Sequence, residues 1–303
     1  LPFGFIQPLP ATMFVFKKIK PFQSFLSAVR RQHRSLGFIP TMGALHRGHQ
    51  VLVEQAARAG DFTVCSVFVN PTQFNDPRDL EKYPRTPEKD IEMLTVVGCN
   101  VLFIPSAEEI YPPDLVQRHF DFGRLETVME GAFRPGHFAG VAQVVSRLLE
   151  IIQPARLYMG QKDFQQVAIV QKMLQQLHSP VELVRCPTVR EPDGLAMSSR
   201  NMRLTAGFRE KAPAIYQTLL QTKQLSGNGH SPQEIQQLAL TKLRENGLKP
   251  EYFEIVDSET LLPIERFNDA KNAVACTAVW AGEVRLIDNI QVKGQWVDRL
   301  MGE

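Results

Sequence analysis

Two histidines three residues apart, His46 and His49, close the stretch Pro40-Thr41-Met42-Gly43-Ala44-Leu45-His46-Arg47-Gly48-His49, which lies between a predicted strand and the start of a predicted helix. Backbone N–H groups at a helix start carry partial positive charge and bind phosphate. Gly43 and Gly48 let the backbone approach an anion with no side chain in the way. The imidazoles add donors that can stabilise charge developing on an α-phosphate as pyrophosphate leaves. The plainer alternative is that the rings cap the helix or face solvent. A metal site is the weaker reading, because no carboxylate accompanies the pair at suitable spacing.

A second group, Met197-Ser198-Ser199-Arg200-Asn201, follows a turn at Asp193-Gly194. Hydroxyls and a guanidinium suit a triphosphate, although Ser-Ser-Arg alone is a common surface sequence. In a third, Gly160-Gln161-Lys162-Asp163-Phe164-Gln165-Gln166, Lys162 can reach phosphates, Asp163 can accept from ribose hydroxyls, and Gln166 offers both donor and acceptor. Lys162 and Asp163 read equally as a solvated pair in a helix's first turn. In the fourth, Phe68-Val69-Asn70-Pro71-Thr72-Gln73-Phe74, a hydrophobic strand ends in amides. Neutral amides suit a substrate carrying a carboxylate and hydroxyls, while Asn-Pro by itself often makes a turn.

These groups must be held by rigid elements. Helical spacing at Phe22, Phe25, Leu26 and Val29 precedes a short strand at 36–40, a helix over 49–59 and a β-branched strand over 62–69. Helices over 88–97, 141–152 and 165–177 alternate with strands at 100–104 and 157–159. The alternation predicts an α/β fold, a Rossmann-like doubly wound parallel sheet with ligands beyond the carboxyl ends of its strands. After Cys186 the pattern changes to helices over 208–225 and 232–246 and strands at 252–256, 273–280 and 284–290. We read residues 13–186 as an ATP-binding domain and 187–303 as a smaller α+β domain carrying the Met197–Arg200 loop. Residues 1–12 are apolar and broken by prolines, which spoils a signal-peptide reading; they read as a non-native or unusual extension, with Met13 as a natural start.

Bulk composition narrows the partners. Lys and Arg number 34 against 32 Asp and Glu, a net charge of +2. No global basic field would hold nucleic acid, and small molecules are the expected partners. Apolar runs are strand-sized, short of the roughly 20 residues a membrane helix needs. Cys65, Cys99, Cys186 and Cys276 lie far apart with no Cys-x-x-Cys pair, which fits a reducing cytoplasm.

The His-x-Gly-His pattern and the Met-Ser-Ser-Arg loop resemble the signatures of the nucleotidylyltransferase and class I aminoacyl-tRNA synthetase superfamily. The four groups in this order, with Asp79-Leu80-Glu81-Lys82-Tyr83-Pro84-Arg85-Thr86 and Phe133-Arg134-Pro135-Gly136-His137-Phe138-Ala139-Gly140-Val141, are similar to those of the pantothenate synthetase family. The likeness is strong from about Leu36 to Leu204 and weaker beyond. It implies ATP-dependent ligation of pantoate to β-alanine through a pantoyl adenylate, with Mg²⁺, in a homodimer. It also implies that His49, His46, Lys162 and Arg200 act in catalysis. Met42, Gly43, His46, Gly48, His49, Gly160, Lys162, Asp163, Val189, Met197, Ser198, Ser199 and Arg200 would contact ATP, Gln73 and Gln166 would bind pantoate or β-alanine, and Asp90 would lie near the magnesium. Gln50, Gln143, Gln161 and Met202 depart from the family pattern, but none carries an assigned role.

Two other readings compete. A nucleotidylyltransferase acting on a phosphorylated acceptor should show a basic pocket where Gln73 and Gln166 stand. A nucleotide-binding protein without turnover is opposed by the intact His46, His49, Lys162 and Arg200. A synthetase acting on transfer RNA is disfavoured, since no basic or anticodon-binding module is evident.

Overall fold

The computed structural model describes residues 12–295; the reading of residues 1–12 as an extension falls, except for residue 12, outside the described residues. The first part of the chain runs β1 (Phe14–Phe16), α1 (Ile19–Arg31), β2 (Leu36–Thr41), α2 (Arg47–Arg58), β3 (Phe62–Val67), α3 (Pro77–Glu81), α4 (Pro87–Val96), β4 (Val101–Phe103), α5 (Ala107–Ile110), α6 (Glu130–Phe133), α7 (His137–Ile152), β5 (Arg156–Gly160), α8 (Phe164–Gln176) and β6 (Glu182–Cys186). Its strands form one parallel sheet in the order β1-β4-β3-β2-β5-β6.

Alternation along the strands explains why helices cover both faces. Leu36 and Phe38 of β2, Val64 of β3 and Phe103 of β4 join the core with Phe22 and Leu26 of α1 and with α7 and α8. Ile39, Cys65 and Leu102, one residue out of phase, point to the other face, against Leu52, Val53 and Ala56 of α2 and Leu94 of α4. From β2 the chain winds outward through β3 and β4, and later returns to place β5 on the other side of β2. The crevice beyond the carboxyl ends of β2 and β5 is therefore the switch point of the sheet.

The C-terminal part runs α9 (Ala206–Lys211), α10 (Ala214–Ser226), α11 (Pro232–Glu245), β7 (Lys249–Asp257), β8 (Ala273–Ala281) and β9 (Val284–Lys293). Its three strands form an antiparallel sheet with β8 in the middle. Phe253, Ile255, Ala275 and Val279 face α10 and α11, while Tyr252, Val256, Val274 and Cys276 face Met129 and Phe164 of the first part. A sheet covered on both faces accounts for the nearly uninterrupted apolar run of β8.

The structure departs from the sequence reading in several places. β1 and β6 were not expected: β1 has only three residues, and β6 alternates exposed Glu182 and Arg185 with buried Val184 and Cys186. The helix expected over 208–225 is two helices, divided at Ala212 and Pro213, where proline supplies no N–H to continue the ladder. The strand before the His46 loop is the second of the chain, not the first. Among the described residues, no helix is long and apolar enough to cross a membrane, and the four cysteines are buried and outside any disulfide.

The two parts meet at a buried charge cluster. Glu130 of α6, 6% exposed, accepts from Tyr252 Oη at 2.9 Å and from both terminal nitrogens of Arg285 at 2.8 Å, while Arg285 also donates to Glu251 at 2.6 Å. The segment from Gly123 to Gly140, equally compatible in sequence with a lid or a subunit contact, is thus bound to the C-terminal sheet. Burial alone would raise the Glu130 pKa, but the Arg285 hydrogen bonds and charge, with Arg134 and Tyr252, hold it down to about 2 from 4.5. That depression corresponds to about 3 kcal/mol of stability, present above pH ~4.5 and lost as pH falls toward ~2. Denaturant unfolding between about pH 5 and 3 should show wild type losing stability more steeply than Glu130→Gln; parallel curves would contradict this role for Glu130.

Candidate active site

The loop after β2 turns through two residues with positive φ, Gly43 at 82° and Ala44 at 48°. A Cβ on Gly43 would meet Val67 Cγ1 at 2.9 Å and Asp90 Oδ2 at 3.0 Å, so glycine is required by space as well as by φ. Asp90, on α4 and 1% exposed, holds the turn: Ala44 N–H donates to its Oδ2 at 3.0 Å and Leu45 N–H to its Oδ1 at 2.8 Å. Thr86 Oγ1 donates to Oδ1 at 3.1 Å. Both oxygens of Asp90 thus accept protein donors, and the residue anchors the loop. Among the described residues, no group of three or more His, Cys, Asp or Glu side chains is arranged to hold a metal ion.

The loop delivers His46 to the N-cap of α2. His46 Nδ1 accepts from Gly48 N–H at 3.1 Å, and His49 Nδ1 accepts from His46 N–H at 3.3 Å, a reciprocal capping box made of two imidazoles. The histidines do cap the helix, as the plainer sequence reading held, and capping fixes their chemistry. A nitrogen that accepts from backbone carries no proton in the neutral ring, so Nε2 bears the hydrogen in both. Burial, His49 and Lys162 lower the His46 pKa to about 2, and burial and Lys162 lower that of His49 to about 4. Both rings are therefore neutral near pH ~7 and present N–H donors to the cleft they line.

That cleft, about 210 Å³, lies at the switch point. It gathers Met42, His46, Gly48, His49, Gln73, Gly160, Lys162, Asp163, Gln166, Val189, Met197, Ser198, Ser199 and Arg200 along one wall or another. Of the residues expected to contact ligands, only Gly43 and Asp90 lie behind the wall. Ser199 ties the second loop to the first, donating from Oγ to Ala44 O at 2.9 Å. Arg200 donates to Asp79 Oδ2 at 2.8 Å, and Arg203 to Asp79 Oδ1 at 2.7 Å. Lys162 is anchored from the C-terminal sheet, where Asn289 Nδ2 donates to the carbonyls of Gln161 at 3.0 Å and Lys162 at 2.8 Å.

Gln73 ends the wall below β3. Its Oε1 accepts from Asn70 Nδ2 at 3.1 Å, which leaves its Nε2 facing Met42 Sδ at 3.0 Å as the donor available to a ligand. Asn70, 1% exposed, also donates to Gly140 O and accepts from Thr72 and Tyr111. Asn70 thus orients Gln73, the amide expected to meet substrate. Sequence reasoning quoted Tyr83, Asp79 and His137 within motifs but gave them no task. Tyr83 lines the cleft, and the other two hold residues that do. Asn289 was missed altogether, since an isolated asparagine in a strand gives no local signal.

The tautomer assignment is open to direct measurement. Long-range ¹H–¹⁵N correlation spectra of the free protein should show His46 and His49 as neutral Nε2–H rings down to about pH 5. Titration of either with a midpoint near its ordinary value of about 6.5 would contradict the assignment.

Comparison with known proteins agrees with this geometry. The profile of the family described as pantoate-beta-alanine ligase matches residues 14–291. The chain is 51% identical over 285 residues to the pantothenate synthetase of Phocaeicola vulgatus, covering 93% of this chain and 100% of that one. It is 50% identical over 283 residues to that of Bacteroides thetaiotaomicron, covering 93% and 99%. Among solved structures, pantothenate synthetase from Thermus thermophilus superposes with a TM-score of 0.87 at 43% identity, over 93% of this chain and 100% of that one. Pantoate-beta-alanine ligase from Francisella tularensis, complexed with beta-gamma ATP and beta-alanine, gives 0.79 at 34%, over 94% and 99%. A match of this extent, falling on a cleft with these donors, places the chain in the pantoate–β-alanine ligase family.

Proposed function

We propose that this protein joins pantoate to β-alanine at the expense of ATP, in two steps within the one cleft. The observation that carries the reading is the convergence of neutral His46 and His49, Lys162 and the Ser198–Arg200 loop on a cleft that two amides, Gln73 and Gln166, also line. Phosphate chemistry and a hydroxy-acid site are then adjacent. The Francisella relative, complexed with beta-gamma ATP and beta-alanine, supports the same pairing of ligands.

In the first step a pantoate carboxylate oxygen attacks the α-phosphorus and the bond to the bridging oxygen breaks, releasing pyrophosphate. The Nε2–H groups of His46 and His49 and the ammonium of Lys162 stabilise the charge that builds on the phosphate oxygens. Gln73 and Gln166 hold pantoate, Gln73 with the amide nitrogen that Asn70 leaves free. In the second step the amine of β-alanine attacks the acyl carbon and AMP departs. AMP is a far better leaving group than a carboxylate oxygen, so two moderate barriers replace one prohibitive barrier. Gly160, Asp163, Val189 and Met197 would contact the nucleotide. Mg²⁺ would arrive with the phosphates of ATP, held mainly by them and by water, with Asp90 nearby as the family likeness implies.

The proposal extends to a domain boundary near Pro187, supported by Val184 and Cys186 packing in the first core and Leu195 in the second. It includes a cytoplasmic homodimer, on the strength of the family likeness; light scattering would report the mass in solution.

Purified protein given ATP, Mg²⁺ and pantoate, with and without β-alanine, should yield pantothenate and AMP in equal amounts only in the complete mixture, as read by mass spectrometry. ATP binding with no pyrophosphate release in either mixture would sink the reading. His49→Ala should lower turnover by about two orders of magnitude, the scale of losing a donor to developing charge; a near-normal rate would remove His49 from the catalytic set.

A further inference from the structure

The mechanism leaves His137, a buried, titratable side chain of a sequence motif, without a task. His137 opens α7 and is 5% exposed. Its Nδ1 lies 2.7 Å from the backbone carbonyl oxygen of Gln73, and its Nε2 lies 3.1 Å from Nη1 of Arg134. A carbonyl only accepts and a guanidinium only donates, so the ring is neutral with its proton on Nδ1. It is a one-way relay from Arg134 to the Gln73 backbone. Burial and then the Arg134 charge lower its pKa to about 4, in keeping with that form.

We propose that His137 is a positioning residue for Gln73, fixing the turn that aims the Gln73 amide at the acid substrate. The turn and α7 are in close backbone contact, since a Cβ on Gly140 would stand 2.4 Å from Thr72 O, and the Gly140 carbonyl accepts from Asn70 at 3.1 Å. α7 therefore grips both amides, Asn70 through its backbone and Gln73 through the His137 ring. Arg134, which donates to that ring, lies 3.5 Å from Glu130 Oε2. The grip is thereby tied to the cluster that binds the C-terminal sheet, and the placement of the acid substrate depends on that sheet being docked.

The proposal rests on the ligase reading, and steady-state kinetics of wild type, His137→Phe and His137→Asn separate the two. Phe keeps the ring volume and loses the donor; Asn restores an N–H toward the Gln73 carbonyl. Losing a buried hydrogen bond at this scale predicts a rise of about tenfold or more in the KM for pantoate in His137→Phe. The KM for ATP should stay near the wild-type value, and His137→Asn should recover most of the loss. If His137→Phe does not fold, Arg134→Met, which removes the donor to Nε2, should show the same split between the two KM values. An unchanged pantoate KM, parallel rises for ATP and pantoate, or an Asn variant no better than Phe would overturn the role of His137. Wild type that makes no pantothenate would instead defeat the ligase reading.

Discussion

The structure depends first on one buried carboxylate. Asp90 accepts the N–H groups of Ala44 and Leu45, and in doing so holds two consecutive residues at positive φ, one of them not glycine. Ala44 would leave that conformation readily without a partner, since a side chain there costs of order 1 kcal/mol or more. The turn decides where α2 begins, and the start of α2 decides where His46 and His49 stand. From there the capping hydrogen bonds set which nitrogen of each ring carries its proton. A charge on α4 thus determines the polarity of donors on α2, with Gln50 adding a second tie between these helices through the Met93 carbonyl.

The second constraint is that neither half of the chain holds a complete site. The parallel sheet supplies the His46 loop, Gln73 and Lys162 to the cleft. The C-terminal sheet contributes no side chain to the cleft wall, yet Asn289 fixes the backbone of Lys162, and the Arg285–Glu130 cluster fixes the segment leading into α7. Ser199 closes the circuit by hydrogen bonding to Ala44, the strained residue of the first loop. Breaking one of these buried links leaves an unsatisfied polar group, which costs more than a typical intact hydrogen bond contributes.

What the sequence disclosed follows the range of the interactions concerned. The parallel sheet was legible because its strands are apolar on both faces and its helices are periodic. The two loops were legible through the His-x-Gly-His and Met-Ser-Ser-Arg patterns occurring together in this order, since each alone has ordinary uses. The hold of Asp90 on the loop was not legible, because its partners lie some 45 positions back along the chain and nothing local declares them. β1 escaped notice, being only three residues long, as did Asn289, and Asp79 was quoted without a task, because Asn289 and Asp79 each act on a residue more than a hundred positions away. Pro213 was present to be read, and its break in the helix is a local rule overlooked.

The central claim is that a carboxylate oxygen of pantoate becomes bonded to the α-phosphorus before the amine arrives. Pantoate labelled with ¹⁸O in its carboxylate tests it directly, with the released AMP analysed by mass spectrometry after turnover with ATP and β-alanine. Passage through pantoyl adenylate predicts that each AMP carries one labelled oxygen from pantoate. AMP free of label, with the label in another phosphate product, would contradict the account and require a different activated acid.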